Sequence, residues 1–269
     1  MKVVILCGGQ GTRLREETEF RPKPMVEIGG KPILWHIMKL YAAHGFKDFV
    51  LALGYKGEQI KDYFLNYDLR NSDFAVELGS KRITTLAASH DEQDWRVTLA
   101  DTGLTTMTGG RIARLRQYLG DSPFMLTYGD GLADVDLRDL VRFHQERGRT
   151  ATVTAVRPVA RFGDLELDGD IARGFHEKSQ ARSGWINGGF FVLEPGIFDY
   201  LKGNDCVLET EPMERLAAAG QLAVYRHRHY WQCMDTLRDQ QVLNETWAMG
   251  SAPWRVWDRD DRALRAHDG

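Results

Sequence analysis

The chemistry of this chain is concentrated near its amino end, where residues 2–14 read K-V-V-I-L-C-G-G-Q-G-T-R-L. Val3 to Leu6 form a β-branched apolar run that predicts a buried strand leading into a glycine loop. Gly8, Gly9 and Gly11 lack the side chains that would hold a polyanion away from backbone N–H groups, and Gln10 and Thr12 share that loop. Arg13 adds a planar, permanently charged fork. Further on, Lys23 stands between Pro22 and Pro24, whose rings fix φ, so its ammonium has less backbone freedom to lose on engaging a phosphate. The pattern is not a P-loop, because no lysine follows the glycines. Nor is it a dinucleotide fingerprint, because Leu14 stands where the third glycine belongs. A bare G-G-x-G also fits an ordinary tight turn; the T-R-L and P-K-P that follow favour a nucleotide site.

Two acids could complete such a site. Asp130, in Tyr128-Gly129-Asp130-Gly131, follows an apolar run and is expected just past a strand's carboxyl end, where α/β sheets present catalytic groups. Asp235 lies in Trp231-Gln232-Cys233-Met234-Asp235-Thr236. Carboxylates suit Mg²⁺, which takes one or two from a protein and completes its octahedron with phosphate oxygens and water. Each acid also fits a plain role, Asp130 in a turn and Asp235 as an N-cap ahead of a helix over 236–244. Thr106, Thr108, Gly109, Gly110 and Arg111 open a predicted helix whose paired glycines could admit a flat base, with Thr108 as its N-cap. Glu177-Lys178 and Asn187-Gly188-Gly189 are candidate partners for a second phosphate and for sugar hydroxyls. His227 and His229 have no third ligand beside them and read as structural or surface residues.

These residues need a scaffold that gathers them. Apolar spacing predicts a helix over 32–41, a strand over 46–53 and a helix over 58–67, a βαβ rhythm that implies a largely parallel sheet. Residues 66–101 break the rhythm and read as an insertion, with antiparallel strands expected over 83–87 and 95–99. A helix over 111–118, a strand over 124–127, a helix over 135–147 and a strand over 150–156 follow. A smaller β-rich lobe is expected over 163–192 and a helix over 211–219. The expected organisation is one domain over 1–257, with a charged tail over 258–269.

With 269 residues, 43% hydrophobic and 27% charged, the chain suits one soluble α/β domain. A net charge of −3 argues against a general nucleic-acid or anionic-membrane binder, so cations that hold phosphate must be gathered in a cleft. Cys7, Cys206 and Cys233 lie far apart, which suits the reducing cytoplasm and gives no zinc framework. The apolar run before Gly8 is too short for a signal or a membrane span.

Taken together, the motifs GGQGTRL, PKPMVEIGGKPILWHIMKLY, GYKG, VTLADTGLTTMTGGR, TYGDGLADV, WINGGFFVLEP, YWQCMDTLRD and APWRVW resemble the sugar-nucleotide pyrophosphorylases, and within them the glucose-1-phosphate cytidylyltransferases. The resemblance spans nearly the whole chain. It implies a Rossmann-like, mainly parallel sheet flanked by helices, and the reaction of CTP with α-D-glucose 1-phosphate to give CDP-glucose and pyrophosphate. By resemblance, Leu6 and Gly8 to Arg13 hold the triphosphate, Lys23 meets the α-phosphate, and Asp130 and Asp235 ligate Mg²⁺. Thr106, Gly109, Gly110, Arg111 and Gly129 belong to the nucleotide side, and Tyr128, Glu177, Lys178, Asn187 and Gly188 to the sugar-phosphate side. A homo-oligomer, often a hexamer, is implied too, with residues 66–95 as a contact region. Departures from the family pattern are Ser179 in place of proline and Leu208 in place of tryptophan before Glu209. Two rival readings share these residues: a thymidylyl- or uridylyltransferase on the same fold, and a non-catalytic sugar-nucleotide sensor. Retention of Lys23 with both acids favours an enzyme.

Overall fold

The computed structural model describes residues 1–88, 90–158, 164–168, 171–176 and 184–258. From the amino end the elements are β1 (Lys2–Cys7), α1 (Arg15–Thr18), the ribbon β2 (Glu27–Ile28) and β3 (Lys31–Pro32), α2 (Ile33–Ala43), β4 (Asp48–Leu53), α3 (Gly57–Leu65) and α4 (Tyr67–Arg70). A hairpin of β5 (Ser72–Glu77) and β6 (Arg82–Ala88) precedes β7 (Arg96–Asp101), α5 (Thr108–Arg114), α6 (Arg116–Leu119), β8 (Phe124–Tyr128), β9 (Gly131–Ala133), α7 (Leu137–Arg147) and β10 (Ala151–Val156). A second hairpin, β11 (Asp164–Asp168) with β12 (Ile171–His176), is followed by β13 (Ile186–Leu193), α8 (Glu211–Ala218), β14 (Leu222–Arg226), β15 (Trp231–Cys233) and α9 (Leu237–Ala248).

Among the described residues, seven strands form the central sheet in the order β14-β10-β13-β8-β1-β4-β7. All pairings are parallel except those of β13, which runs antiparallel to both β8 and β10. β1 sits near the middle and is apolar on both faces. Val3 and Ile5 join one buried cluster with α2, α7 and α9, while Val4 and Leu6 join another with Ile112 of α5 and Leu216 of α8. A strand covered on both sides reads as a continuous apolar run rather than an alternating one, which is why Val3 to Leu6 is legible as buried. α2 turns Leu34, Ile37, Met38 and Tyr41 into the first cluster, each side chain contributing about 1.5–3 kcal/mol by leaving water.

One expectation is corrected. The strand foreseen as antiparallel over 95–99 is β7, and it lies parallel to β4 in register from Asp48–Arg96 to Leu53–Asp101. Val97 and Leu99 pack on the same cluster as Phe49, so burial of their apolar face draws the segment into the main sheet. The interruption therefore holds the β5–β6 hairpin, not β7. The β-rich stretch expected over 163–192 likewise divides: among the described residues β11 and β12 pair only with each other, whereas β13 enters the central sheet. The charged tail lies outside the described residues save for Asp258.

The register sets the stage for a site. Cys7, Leu53 and Asp101 end β1, β4 and β7 in one row, and Leu6 is level with Tyr128 at the end of β8. Four parallel strands thus deliver their following loops to the same edge, where α/β sheets bind ligands.

Candidate active site

The loop after β1 is shaped by Gly11, whose φ of 63° lies in the left-handed region glycine adopts without penalty. Leu14 N–H donates to Gly11 O (3.0 Å), closing a tight turn over Thr12–Leu14, and Thr18 Oγ1 donates to Gly11 O and Leu14 O at 3.1 and 2.9 Å. α1 is thereby tied back to the glycine loop. Pro22 is extended (φ −67°, ψ 147°) and a second tight turn over Lys23–Met25 directs Lys23 inward.

Lys23 is buried, and its ammonium donates to both acids: Nζ lies 2.5 Å from Asp130 Oδ2 and 2.8 Å from Asp235 Oδ1. Arg13 Nη1 donates to the other oxygen of Asp235 at 2.6 Å from a side chain that is 71% exposed. The acids meet although they are far apart in sequence, because β9 and β15 pair as a short antiparallel ribbon and Met234 N–H donates to Asp130 O (2.9 Å). Thr236 caps α9 in a reciprocal capping box with Asp239, which leaves the Asp235 carboxylate to the cations. The N-cap reading of Asp235 thus passes to its neighbour.

Burial works against charge on both partners, and pairing outweighs it. The Asp235 carboxyl is held below its usual range by Lys23 and Arg13 despite its desolvation, and the Lys23 ammonium is raised by Asp130 and Asp235 despite its own. Burial, followed by the charge of Asp235, pushes the Cys233 thiol up to about 12, so this nearby sulfur is a neutral thiol rather than a nucleophile.

Asp130 and Asp235 face one shared point, now filled by the Lys23 ammonium, and carboxylate oxygens are donors that a hard dication takes. The described residues offer no group of three or more His, Cys, Asp or Glu that could hold a metal, so the remaining ligands would have to be phosphate oxygens and water. That is the donor set Mg²⁺ favours.

A cleft of about 380 Å³ opens over these residues, lined by Leu6, Gly8, Gly9, Gly11, Thr12, Arg13, Lys23, Thr106, Arg111, Tyr128, Gly129 and Asp130. Gln10 faces an adjoining groove with Thr12 and Tyr55. Gly129 allows two strand ends to meet: a Cβ there would stand 2.9 Å from Leu6 O. Gly109 and Gly110 serve differently from expectation. A Cβ at either would meet Cys206 or Asn204 at 2.6 Å, so their missing side chains make room for residues 203–206 rather than for a base. Thr108 is not an N-cap, since Met107 occupies that position without a side-chain bond and the Thr108 hydroxyl donates to Glu209.

Arg111 is buried beneath the cleft. Nη1 donates to Leu53 O (3.0 Å), Thr102 Oγ1 (2.7 Å) and Gly103 O (2.8 Å), and Nη2 donates to Gly8 O (3.0 Å). Its guanidinium clamps the loops after β1, β4 and β7 together. Asn187 Nδ2 donates to Tyr128 Oη (3.1 Å), and Gly188 O accepts from Trp231 Nε1 (2.8 Å). Glu177 and Lys178 lie outside the described residues. His227 is buried with Nε2 3.0 Å from both Tyr230 O and Asp134 Oδ1, a structural histidine. Sequence reasoning gave no role to Glu209, which receives both Tyr128 and Thr108, or to Thr102. Neither lies in a spacing pattern; each acquires its partners only when distant loops meet.

The model of the family described as nucleotidyl transferase matches residues 2–239. The chain belongs to this family. Among curated nucleotidyl transferases it is 48% identical over 260 residues to the glucose-1-phosphate cytidylyltransferases of Salmonella typhi and Salmonella typhimurium, covering 96% of this chain and 100% of theirs. Its fold also matches the crystal structure of HddC from Yersinia pseudotuberculosis, with a TM-score of 0.68 at 23% identity over 91% of this chain and 99% of that one. The architecture is thus that of a nucleotidyl transferase, with its cleft at the carboxyl ends of β1, β4, β7 and β8.

Proposed function

We propose that this nucleotidyl transferase moves a cytidylyl group from CTP to α-D-glucose 1-phosphate, releasing pyrophosphate. The observation that carries the reading is the meeting of Lys23, Asp130, Asp235 and Arg13 beside a glycine loop. The likeness to the two cytidylyltransferases supports the choice of base and sugar.

The sugar 1-phosphate oxygen is already anionic, so the transfer needs neither a protein nucleophile nor a general base. Catalysis then rests on positioning and charge neutralisation. Gly9, where a Cβ would meet nothing within 4 Å, lets the triphosphate approach the backbone, and Arg13, whose side chain is exposed, follows the departing pyrophosphate. Lys23 is held in the cleft by two carboxylates and meets the α-phosphate as charge builds there. Asp130 and Asp235 would hold Mg²⁺, which when bound supplies further neutralisation of phosphate charge. Tyr128 and Asn187 border the sugar-phosphate side.

The same reading includes a homo-oligomer, six copies by family likeness, joined through the β5–β6 hairpin, where Phe74, Val76, Leu78, Ile83 and Leu86 are exposed. It also places the enzyme in the cytoplasm; no described helix is long and apolar enough to cross a membrane.

The deciding experiment offers CTP, UTP, dTTP, ATP and GTP with glucose, mannose and galactose 1-phosphates and measures pyrophosphate with and without Mg²⁺. CTP with glucose 1-phosphate is expected to be fastest and Mg²⁺-dependent. Preference for UTP or dTTP would replace the base assignment, and no release with any pair would end the reading.

A further inference from the structure

At the rim of the cleft the end of β8 and the start of α5 meet on one carboxylate. Glu209, ahead of α8, accepts from Tyr128 Oη on Oε1 (2.5 Å) and from Thr108 Oγ1 on Oε2 (2.6 Å). Each hydroxyl also accepts a bond from behind, Tyr128 from Asn187 Nδ2 (3.1 Å) and Thr108 from Leu208 N–H (2.9 Å). Asn187 Oδ1 accepts from Gly189 N–H (2.9 Å), which fixes the amide's orientation. A carboxylate can only accept, so both hydroxyl protons are committed to Glu209 and the remaining lone pairs of both hydroxyls take one sense. Burial and the neighbouring Glu209 charge raise the Tyr128 phenol, keeping its proton in place at neutral pH.

We propose that Glu209 is a positioning residue that couples the two halves of the site: it orients the hydroxyl of Thr108 on the nucleotide side and that of Tyr128, to which Asn187 donates, on the sugar-phosphate side. The inference rests on the transfer reading given under Proposed function. An isosteric amide reveals the coupling, because Gln at 209 presents one N–H end. Whichever hydroxyl faces that end must turn its proton away, and the set of donors offered to one substrate is reversed. The ring of Tyr128, packed edge-on against Phe191 at 6.1 Å, has no need to move.

The test compares wild type, Glu209→Gln, Tyr128→Phe and the double variant in steady-state turnover of CTP with glucose 1-phosphate, alongside thermal unfolding. Each single change is expected to lower kcat/KM for glucose 1-phosphate about tenfold, the worth of one misdirected hydrogen bond, mainly through KM. The double variant is expected to fall no further than the weaker single, because both changes cut the same link. Discrimination between glucose and galactose 1-phosphates is expected to narrow in all three. Wild-type behaviour of Glu209→Gln, or losses that multiply in the double variant with sugar selectivity intact, would overturn the proposal while leaving the transfer reading in place. Absence of any turnover in the wild type would overturn that reading and this inference with it. If Glu209→Gln does not fold, Tyr128→Phe paired with Thr108→Val reads the same link from its two ends, with multiplied losses again the refuting result.

Discussion

Lys23 carries two jobs that pull on each other. It neutralises Asp130 and Asp235 at 2.5 and 2.8 Å, and it stands where the α-phosphate is expected. Lys23→Ala is therefore expected to slow turnover by about a hundredfold or more. It should also lower the unfolding midpoint, because two partly buried carboxylates lose their shared cation. Millimolar Mg²⁺ should then raise the midpoint of Lys23→Ala more than that of wild type, a difference that calorimetry reads without any assay. Acid gives a second test. The Asp235 carboxyl is depressed in the folded state, so its contribution is complete above the unfolded value near 3.9 and disappears as pH falls through the lower folded value. The unfolding midpoint of Asp235→Asn is expected to fall less steeply below about pH 4 than that of wild type. At this scale the sequence was readable where chemistry is local. Glycines beside Arg13 and prolines around Lys23 announce themselves, whereas the pairing of Asp130 with Asp235 needs the β9–β15 ribbon, and Glu209 needs β8 and α5 brought beside the segment ahead of α8.

Elements explain why some residues are spent on architecture. Gly8 and Gly54 lie against the Arg111 guanidinium so closely that a Cβ at either would overlap it, at 2.5 Å for Gly54. The guanidinium cannot give way, being held by carbonyls after β1, β4 and β7. Gly8→Ala is accordingly expected to destabilise the fold by about 1–3 kcal/mol in denaturant titration, and Arg111→Met by a similar amount through the carbonyls it leaves behind. Helices and buried strands were legible because apolar periodicity is a local property. Membership of β7 in the main sheet was not, since a short strand with Val97 and Leu99 on one face fits either an inserted hairpin or a sheet edge until its partner is known. The Gly109-Gly110 pair misled for a related reason: a glycine reports close approach, but not whether the approaching group is ligand or protein.

For the molecule as a whole, the exposed β5–β6 hairpin is the feature least explained by a lone chain. For the proposed homo-oligomer, replacing Leu78 and Leu86 together with Asp is expected to reduce the mass seen by light scattering to that of smaller assemblies while leaving the far-ultraviolet circular dichroism unchanged. An unchanged mass would remove the hairpin from the contact. The central position of β1 has a separate consequence for biosynthesis. It is the earliest of the seven strands to be made, yet β4 covers one of its edges only once residue 53 has emerged, and β8 covers the other only after residue 128. At about 5–20 residues per second, a ribosome leaves that second edge of Val3 to Leu6 bare for roughly 4–15 s after the first has been covered. Nascent chains stalled in this interval would present an adhesive apolar ribbon, and truncated products ending between β4 and β8 should require a holdase to stay in solution.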